Sequence, residues 1–291
     1  MAITTTTVLA DTVPTVLEKA RFTSQFKAIM AGLCWNIKKE LHDGSTVNIP
    51  YFGTVTASGL VEGVDMAASE DMEDTLVTIT PGEVGCKIIL TDKLVRDNKE
   101  DIKGAAGRIL GDAMEYKRDT DLLGQLDDGT NTIGAAGVAT MGHFAAARAI
   151  LGGNPVASGG PAPTPYVAVL HPYVTLDLVD VVTPILPAAT YLNVTGTAFT
   201  DDILKNYTIG RLFGVPIIED GNISTTTCKG GMFSAGKGGA IILVTADEWS
   251  VEPERDASLR ATELNVVGEY GVGEYLAGWI VELYHDATTP A

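Results

Sequence analysis

The stretch Glu62-Gly-Val-Asp-Met-Ala-Ala-Ser-Glu-Asp-Met-Glu-Asp74 is acidic, rich in small residues and without a clear hydrophobic period. It is flanked by two segments, 45–52 and 76–80, whose β-branched, alternating residues are typical of strands. Two strands around an irregular acidic tip predict a long β-hairpin. Because an isolated hairpin buries little core and is marginal in water, we expect this one to rest on another structural element.

The charge of the chain is strongly uneven. Its 291 residues include 20 Lys and Arg and 37 Asp and Glu, which gives a net charge of −17. Residues 51–86 hold seven of the acids and no Lys or Arg. So acidic a chain argues against a nucleic-acid groove, which needs clustered cations, and against docking on anionic membranes.

Residues 92–126 have a different pattern, with apolar residues such as Ile102, Leu110 and Leu123 at helical spacing. This segment predicts one long amphipathic helix, and it holds seven of the 20 basic residues. Gly104, Gly107 and Gly111 interrupt it, each at a cost of about 1 kcal/mol relative to Ala. We therefore expect a neighbouring element to approach the helix closely at these glycines.

The remaining segments mix helices and strands, which indicates an α+β fold, and the length suggests about two domains. Residues 1–11 are typical of an extended arm, and the start lacks the features of a secretory signal. Without a long apolar run the protein is expected to be soluble. The other predicted elements are helices at 12–41, 143–151 and from 172 toward 186, and strands at 87–91, 166–170, 210–218, 232–233, 240–244, 266–270 and 276–284.

One glycine-rich stretch, Gly231-Met-Phe-Ser-Ala-Gly-Lys237-Gly238, is one residue away from a phosphate-binding loop. The motif requires Ser or Thr after the Lys to ligate Mg²⁺, and a helix to follow. Here Gly238 and a strand pattern take those places, so a turn between strands is the better interpretation. Gly268-Glu-Tyr-Gly271-Val-Gly273 likewise lacks the context of a dinucleotide loop and is interpreted as a turn region.

No other pattern predicts a catalytic, cofactor or metal site. The four histidines lie in separate contexts without metal-ligand spacing. The three cysteines form no Cys-x-x-Cys pair and are interpreted as small buried residues in a reducing compartment. A solvated acidic face is the simplest interpretation of the 62–74 carboxylates, since no calcium-loop motif is present. These residues are His42, His143, His171 and His285, with Cys34, Cys86 and Cys228.

The order of these segments resembles the major capsid proteins of tailed bacteriophages, which have the Hong Kong 97-type fold. The resemblance covers nearly the whole chain and rests on the shared order of several stretches. These are Ala2-Ile-Thr-Thr-Thr-Thr-Val-Leu-Ala-Asp11, Asp43-Gly-Ser-Thr-Val-Asn-Ile-Pro50, Leu90-Thr-Asp-Lys93, Tyr166-Val-Ala-Val-Leu-His-Pro172, Ile209-Gly-Arg-Leu-Phe-Gly-Val-Pro-Ile-Ile218 and the return from Arg255-Asp256 to Tyr270-Gly271.

The resemblance implies five parts: an N-terminal arm (1–44), an extended loop (45–91), a peripheral domain with a spine helix (92–164), an axial domain (165–245) and returning peripheral strands (246–291). It implies self-assembly through hexamers and pentamers into an icosahedral shell around double-stranded DNA. The expected partners are other copies of the chain and possible scaffolding, portal and decoration proteins, without sequence-specific DNA binding, membrane or cofactor. The expected location is the virion capsid, assembled in the cytoplasm of a host bacterium.

Within this scheme the acidic hairpin is expected to pair with basic residues of another subunit's spine helix. The candidate acids are Glu62, Asp65, Glu70, Asp71, Glu73 and Asp74, and the candidate bases are Lys93, Arg96, Lys99, Lys103 and Arg108. Some relatives crosslink through a Lys of the extended loop; none lies between Tyr51 and Gly85, so crosslinking there is not expected. The arm-like start suggests a separate scaffold protein, or none.

Three alternatives stay open at this point. An encapsulin-like nanocompartment shares the fold but holds enzymes. A cytosolic nucleotide-dependent enzyme would use the Gly231–Lys237 loop. A tail or decoration protein would be another virion component.

Overall fold

The computed structural model describes residues 27–40, 44–57, 59–60, 62–63, 65, 71–97, 101–182, 210–227 and 229–288. Most of the predicted helix over 12–41 lies outside these residues. In the part that the structure describes, the prediction of one continuous helix is wrong. Only α1, Met30–Leu33, is helical, and β1, Trp35–Lys38, follows it. Burial alternates along β1, because Trp35 and Ile37 pack inward; this two-residue period fits a strand.

The predicted hairpin is confirmed. Strands β2, Val47–Phe52, and β3, Asp74–Ile79, pair antiparallel with Val47 opposite Ile79 and Phe52 opposite Asp74. The Gly53 N–H donates to the Glu73 carbonyl at 2.9 Å just beyond the last pair. The acidic residues Glu73 and Asp74 therefore lie at the far end of a two-stranded ribbon.

A four-stranded sheet carries this hairpin. Its order is β1, β10 (Ile241–Asp256), β11 (Ala261–Glu274) and β4 (Gly82–Thr91), and only the β1–β10 pair is parallel. Ile49 and Ile79 at the base of the hairpin form a small core with Ile242 and Val244 of this sheet. The hairpin is thus anchored at its base.

The predicted single helix over 92–126 is two helices in the structure, α2 (Asp92–Asp97) and α3 (Ile102–Gly124). The break has a local cause at Asp101, whose backbone is not helical and whose carboxylate accepts from the Gly104 N–H at 3.0 Å as an N-cap. Leu110 and Met114 of α3 pack on Val266 of β11, which places the helix across the four-stranded sheet.

The prediction that a neighbouring element approaches the glycines of α3 closely is not met by the described residues. A Cβ added at Gly107 or Gly111 would meet nothing within 4 Å, and one at Gly104 would meet only the capping Asp101. No described element of the same chain therefore approaches α3 closely at these glycines. No described residue therefore covers the helix at Gly107 or Gly111.

A six-stranded sheet forms the second half of the molecule, in the order β5, β12, β9, β6, β8, β7. Helices α4 (Met141–Gly152) and α5 (Pro172–Val182) accompany it, and its main core contains Leu126, Phe144, Phe233 and Leu283. Its strands are β5 (Asn131–Gly137), β6 (Tyr166–Leu170), β7 (Arg211–Leu212), β8 (Val215–Glu219), β9 (Lys229–Ser234) and β12 (Ile280–His285).

Two further predictions are corrected by backbone geometry. The predicted strand 210–218 is two short strands, because Phe213 and Gly214 both adopt positive φ and turn the chain between them. The predicted turn at 268–273 lies instead inside β11. A side chain at Gly268 would overlap the Trp249 ring and one at Gly271 would press on Pro81, so these glycines permit close approach within a strand.

Candidate inter-subunit surfaces

The hairpin loses contact with the rest of the subunit beyond its base. Ile49 and Ile79 are buried, whereas the described residues 52–57, 59–60, 62–63, 65 and 71–76 are all exposed. A ribbon of two strands cannot bury both of its own faces. Its outer part therefore presents side chains that no described residue of the same chain covers.

Many of those side chains are apolar. Phe52, Val55, Leu60, Met72 and Leu76 are between 56% and 76% exposed. They are five of the twelve large apolar residues that stand out as exposed in the described chain, so such residues are concentrated on this ribbon. Concentrated exposed apolar side chains mark interaction surfaces. The sequence analysis missed this property, although apolar residues within an acidic, aperiodic stretch were the available signal.

The predicted acidic residues lie on the same ribbon. Glu62, Asp65, Asp71, Glu73 and Asp74 are exposed, and none of them forms an ion pair within the described part of the chain. The remaining candidate, Glu70, lies outside the described residues. The hairpin thus combines uncompensated negative charge with exposed apolar surface.

The predicted basic residues lie on α2 and α3. Lys93, Arg96, Lys103 and Arg108 are exposed, and Lys99 lies outside the described residues. The Arg96 guanidinium contacts its neighbour Asp97 at 3.1 Å. Lys93 forms no ion pair with any described residue.

The structure adds one further cation, Arg260, that the sequence analysis missed. A cavity of about 230 Å³ lies between α2 and the β10–β11 turn. Arg260, from that turn, lines it together with Lys93 and Arg96; the other lining residues are Thr91, Asp92 and Leu259. Arg260 is distant from Lys93 in the sequence, and only the antiparallel pairing of β11 with β4 brings the two together.

The one carboxylate in this cavity is already engaged. Arg255 holds Asp92 through two hydrogen bonds of 2.7 Å. That contact, helped by the charges of Arg255, Arg260 and Lys103, lowers the pKa of Asp92 below its usual range. Lys93 and Arg260 form no ion pair with any described residue. We call Lys93, Arg96 and Arg260 the basic patch; Arg108 lies further along α3 and does not line it.

The glycine-rich loop does not form a phosphate site. Gly231 lies in β9, and the loop around Lys237 leads through the positive-φ residues Gly236 and Gly238 into β10. A strand follows where a phosphate-binding loop needs a helix N-terminus. The interpretation as a turn between strands is confirmed.

Other reactive side chains are distributed without a common centre. Burial, with the charge of Asp119, raises the pKa of the Cys34 thiol to about 12, and Cys86 is also a free thiol. Cys228 lies outside the described residues. His143 and His285 stack with ring centroids 5.1 Å apart. In the described ranges no three His, Cys, Asp or Glu side chains are grouped as metal ligands.

A search of the described helices finds none that is long and apolar enough to cross a membrane. No protein-family model matches the sequence, and no curated protein matches it.

Solved structures do match. A chain from Mycobacterium phage Che8 superposes with a TM-score of 0.74 at 17% identity, covering 92% of this chain and 94% of the other. The acid-stable capsid of Helicobacter pylori bacteriophage KHP30 superposes with a TM-score of 0.72 at 13% identity, covering 94% of this chain and 95% of the other. The mature capsid of bacteriophage PhiM1 superposes with a TM-score of 0.69 at 15% identity, covering 94% of this chain and 92% of the other.

At these identities the matches define the fold. The chain has the α+β, Hong Kong 97-type fold of phage capsid structures, over nearly its whole length. The resemblance that the sequence suggested is confirmed at this level.

Proposed function

We propose that the chain is a major capsid protein that assembles through hexamers and pentamers into an icosahedral shell enclosing double-stranded DNA. The proposal rests on the fold together with one observation. The outer half of the β2–β3 hairpin exposes apolar and acidic side chains that the described chain does not cover. A second copy is the partner most readily available to a shell protein, since symmetric self-association repeats one contact many times.

We propose that the hairpin lies across an adjacent subunit and contacts its basic patch. Each exposed ion pair contributes about 0–1 kcal/mol. Burial of the apolar side chains adds about 25 cal/mol for each Å² removed from water, so it is expected to supply most of the contact energy. The charges then select where the ribbon docks.

The division into parts follows the same reasoning. We propose residues 1–44 as an N-terminal arm, 45–91 as an extended loop, 92–164 as a peripheral domain with α3 as its spine helix, 165–245 as an axial domain, and 246–291 as returning peripheral strands. The anchored hairpin supports the extended loop, and the packing of α3 on the four-stranded sheet supports the peripheral domain. Strand β10 crosses position 245 and β12 joins the six-stranded sheet, so the two domains would share strands.

The proposed role is structural, not enzymatic, with contact geometry as its mechanism. The location would be the virion capsid, reached by assembly in the cytoplasm of a host bacterium, with portal, scaffolding or decoration proteins as further partners. The net charge of −17 suits a container that holds DNA without binding it in a sequence-specific groove.

Electron microscopy of the purified protein tests the proposal. Closed shells of uniform diameter are expected. Protein that stays monomeric under all assembly conditions, or forms only open tubes, would contradict it. DNA extracted from native particles after nuclease treatment tests the contents separately.

A further inference from the structure

A buried carboxylate joins three segments of the subunit. Asp119 lies on the inner face of α3 and is 1% exposed. Its Oδ1 accepts from the N–H groups of Ile29 and Met30 at 2.9 and 3.0 Å, and its Oδ2 accepts from Asn222 Nδ2 at 2.7 Å. Both oxygens of Asp119 therefore act as hydrogen-bond acceptors in the buried site.

A second carboxyl group lies against it. Asp220, just after β8, is 1% exposed and lies close enough to Asp119 for the two carboxyl groups to interact, and Asn222 donates a hydrogen bond to each of them. Its Oδ1 accepts from the Asn222 N–H at 2.9 Å, whereas its Oδ2 receives no hydrogen bond from any described donor. Two carboxyl groups can share a hydrogen bond only when one of them carries a proton.

We propose that Asp220 is that protonated partner, and that its proton is a pH-sensitive fastener holding the start of α1 and the loop after β8 to helix α3. Loss of the proton places two negative charges side by side in a buried site. No described Lys, Arg or His lies within ion-pair distance of either carboxyl group to compensate them.

The electrostatics of the site agree with this geometry. Burial raises the pKa of Asp220 to about 7, aided by the hydrogen bond and charge of Asp119 and opposed by the N–H of Asn222. From α1, the Cys34 thiol has a pKa near 12 and stays neutral. From the adjoining strands, burial raises the pKa of Glu219 and lowers the pKa of His171.

The direction of the pH effect follows from the two states. In the unfolded chain Asp220 releases its proton near pH 3.9, whereas in the folded chain it keeps it up to about pH 7. Between these values the folded state binds the extra proton, so stability falls as pH rises from about 4 to about 7. Above pH 7 the loss is complete.

Urea denaturation of the full-length chain and of Asp220→Asn at pH 5 and pH 8 tests this proposal. Asn keeps the shape, and its amide donates to Asp119 at every pH. The unfolding constant of the wild type is expected to rise on the order of 10²-fold more between these pH values than that of the variant. Asp119→Asn, which loses a carboxylate oxygen that accepts hydrogen bonds, should be less stable than the wild type at both pH values. Equal pH dependence in wild type and Asp220→Asn would overturn the proposal.

Hydrogen exchange on the wild type gives a second measurement should the variant fail to fold. The amides of Ile29 and Met30, corrected for the intrinsic exchange rate, are expected to lose protection between pH 6 and pH 8. Constant protection of these two amides across that pH range would refute the proposed role of the Asp220 proton. Neither measurement requires shell formation, so their outcome is independent of the proposed function.

Discussion

The β2–β3 hairpin and the six-stranded sheet both contain large apolar side chains, which are exposed in the hairpin and buried in the sheet. In the sheet, Phe233 and Leu283 are fully buried between helices and neighbouring strands. In the hairpin, Leu60 and Met72 are 70% and 76% exposed. The sheet completes its core within one chain, whereas no described residue of the chain covers the outer part of the hairpin. The difference separates residues that fold the subunit from residues proposed to assemble it.

The largest effect is expected in the sheet. Phe233→Ala should lower the free energy of unfolding by about 3–5 kcal/mol, because it leaves a cavity in a fully buried site. Urea denaturation of the unassembled subunit measures this. A change below about 1 kcal/mol would show that the two regions differ less than their burial indicates.

The hairpin should respond in the opposite way. Leu60→Ser with Met72→Ser should change subunit stability by less than about 0.5 kcal/mol, because both side chains are exposed. The two side chains, when buried at a contact, together contribute about 3–6 kcal/mol, so the concentration needed for assembly should rise on the order of 10²- to 10⁴-fold. Light scattering measures assembly.

Val156→Ser is the matched control for that variant, because Val156 is 59% exposed but lies away from the hairpin. It should assemble like the wild type. Normal assembly of the hairpin variant would refute the role of the hairpin's apolar surface.

The face of α3 that carries Gly107 allows a smaller and sharper test. Gly107→Ala should stabilise the unassembled subunit by about 0.5–1 kcal/mol, because Ala favours a helix and its Cβ would meet no described residue within 4 Å. Comparing unfolding of the subunit with assembly shows whether a neighbour uses this face. Stabilisation with weakened assembly identifies a close inter-subunit approach, and loss of subunit stability contradicts the uncovered position of Gly107.

The charges should have the smallest effect for each contact. Glu73→Lys with Asp74→Lys is expected to weaken assembly by about 0–1 kcal/mol per lost pair, and more at low salt than at high salt. Adding Lys93→Glu and Arg260→Glu to the same chain should restore assembly, since the opposed charges would meet between subunits. If the combined variant assembles worse than either parent, the hairpin does not contact the basic patch.

Local periodicity was enough to predict much of this architecture. The hairpin and the buried strand Tyr166–Leu170 follow from alternation and from apolar runs bounded by turn residues. Strand β1 was missed because four residues beside a helical pattern carry a weak signal. These residues form a strand because they pair with β10, which is distant in the sequence. The start of α3 after Asp101 was missed because a capping Asp is hard to distinguish from the other acids around it.

The candidate site was predictable only where charge is contiguous in sequence. The acidic tip is one such run, but Arg260 joins the basic patch through strand pairing, and Asp119 meets Asp220 through tertiary packing. Such long-range juxtapositions leave no local pattern. Exposure of Phe52 and Met72 is also a tertiary property, since the same residues under a neighbouring layer would be core.

A high-resolution electron microscopy structure of the assembled particle tests the central claim most directly. The account predicts closed shells in which residues 62–74 of each subunit lie on an adjacent subunit, with acidic side chains within ion-pair distance of Lys93, Arg96 or Arg260 and with Leu60 and Met72 buried. Shells in which this acidic tip faces only solvent would contradict it.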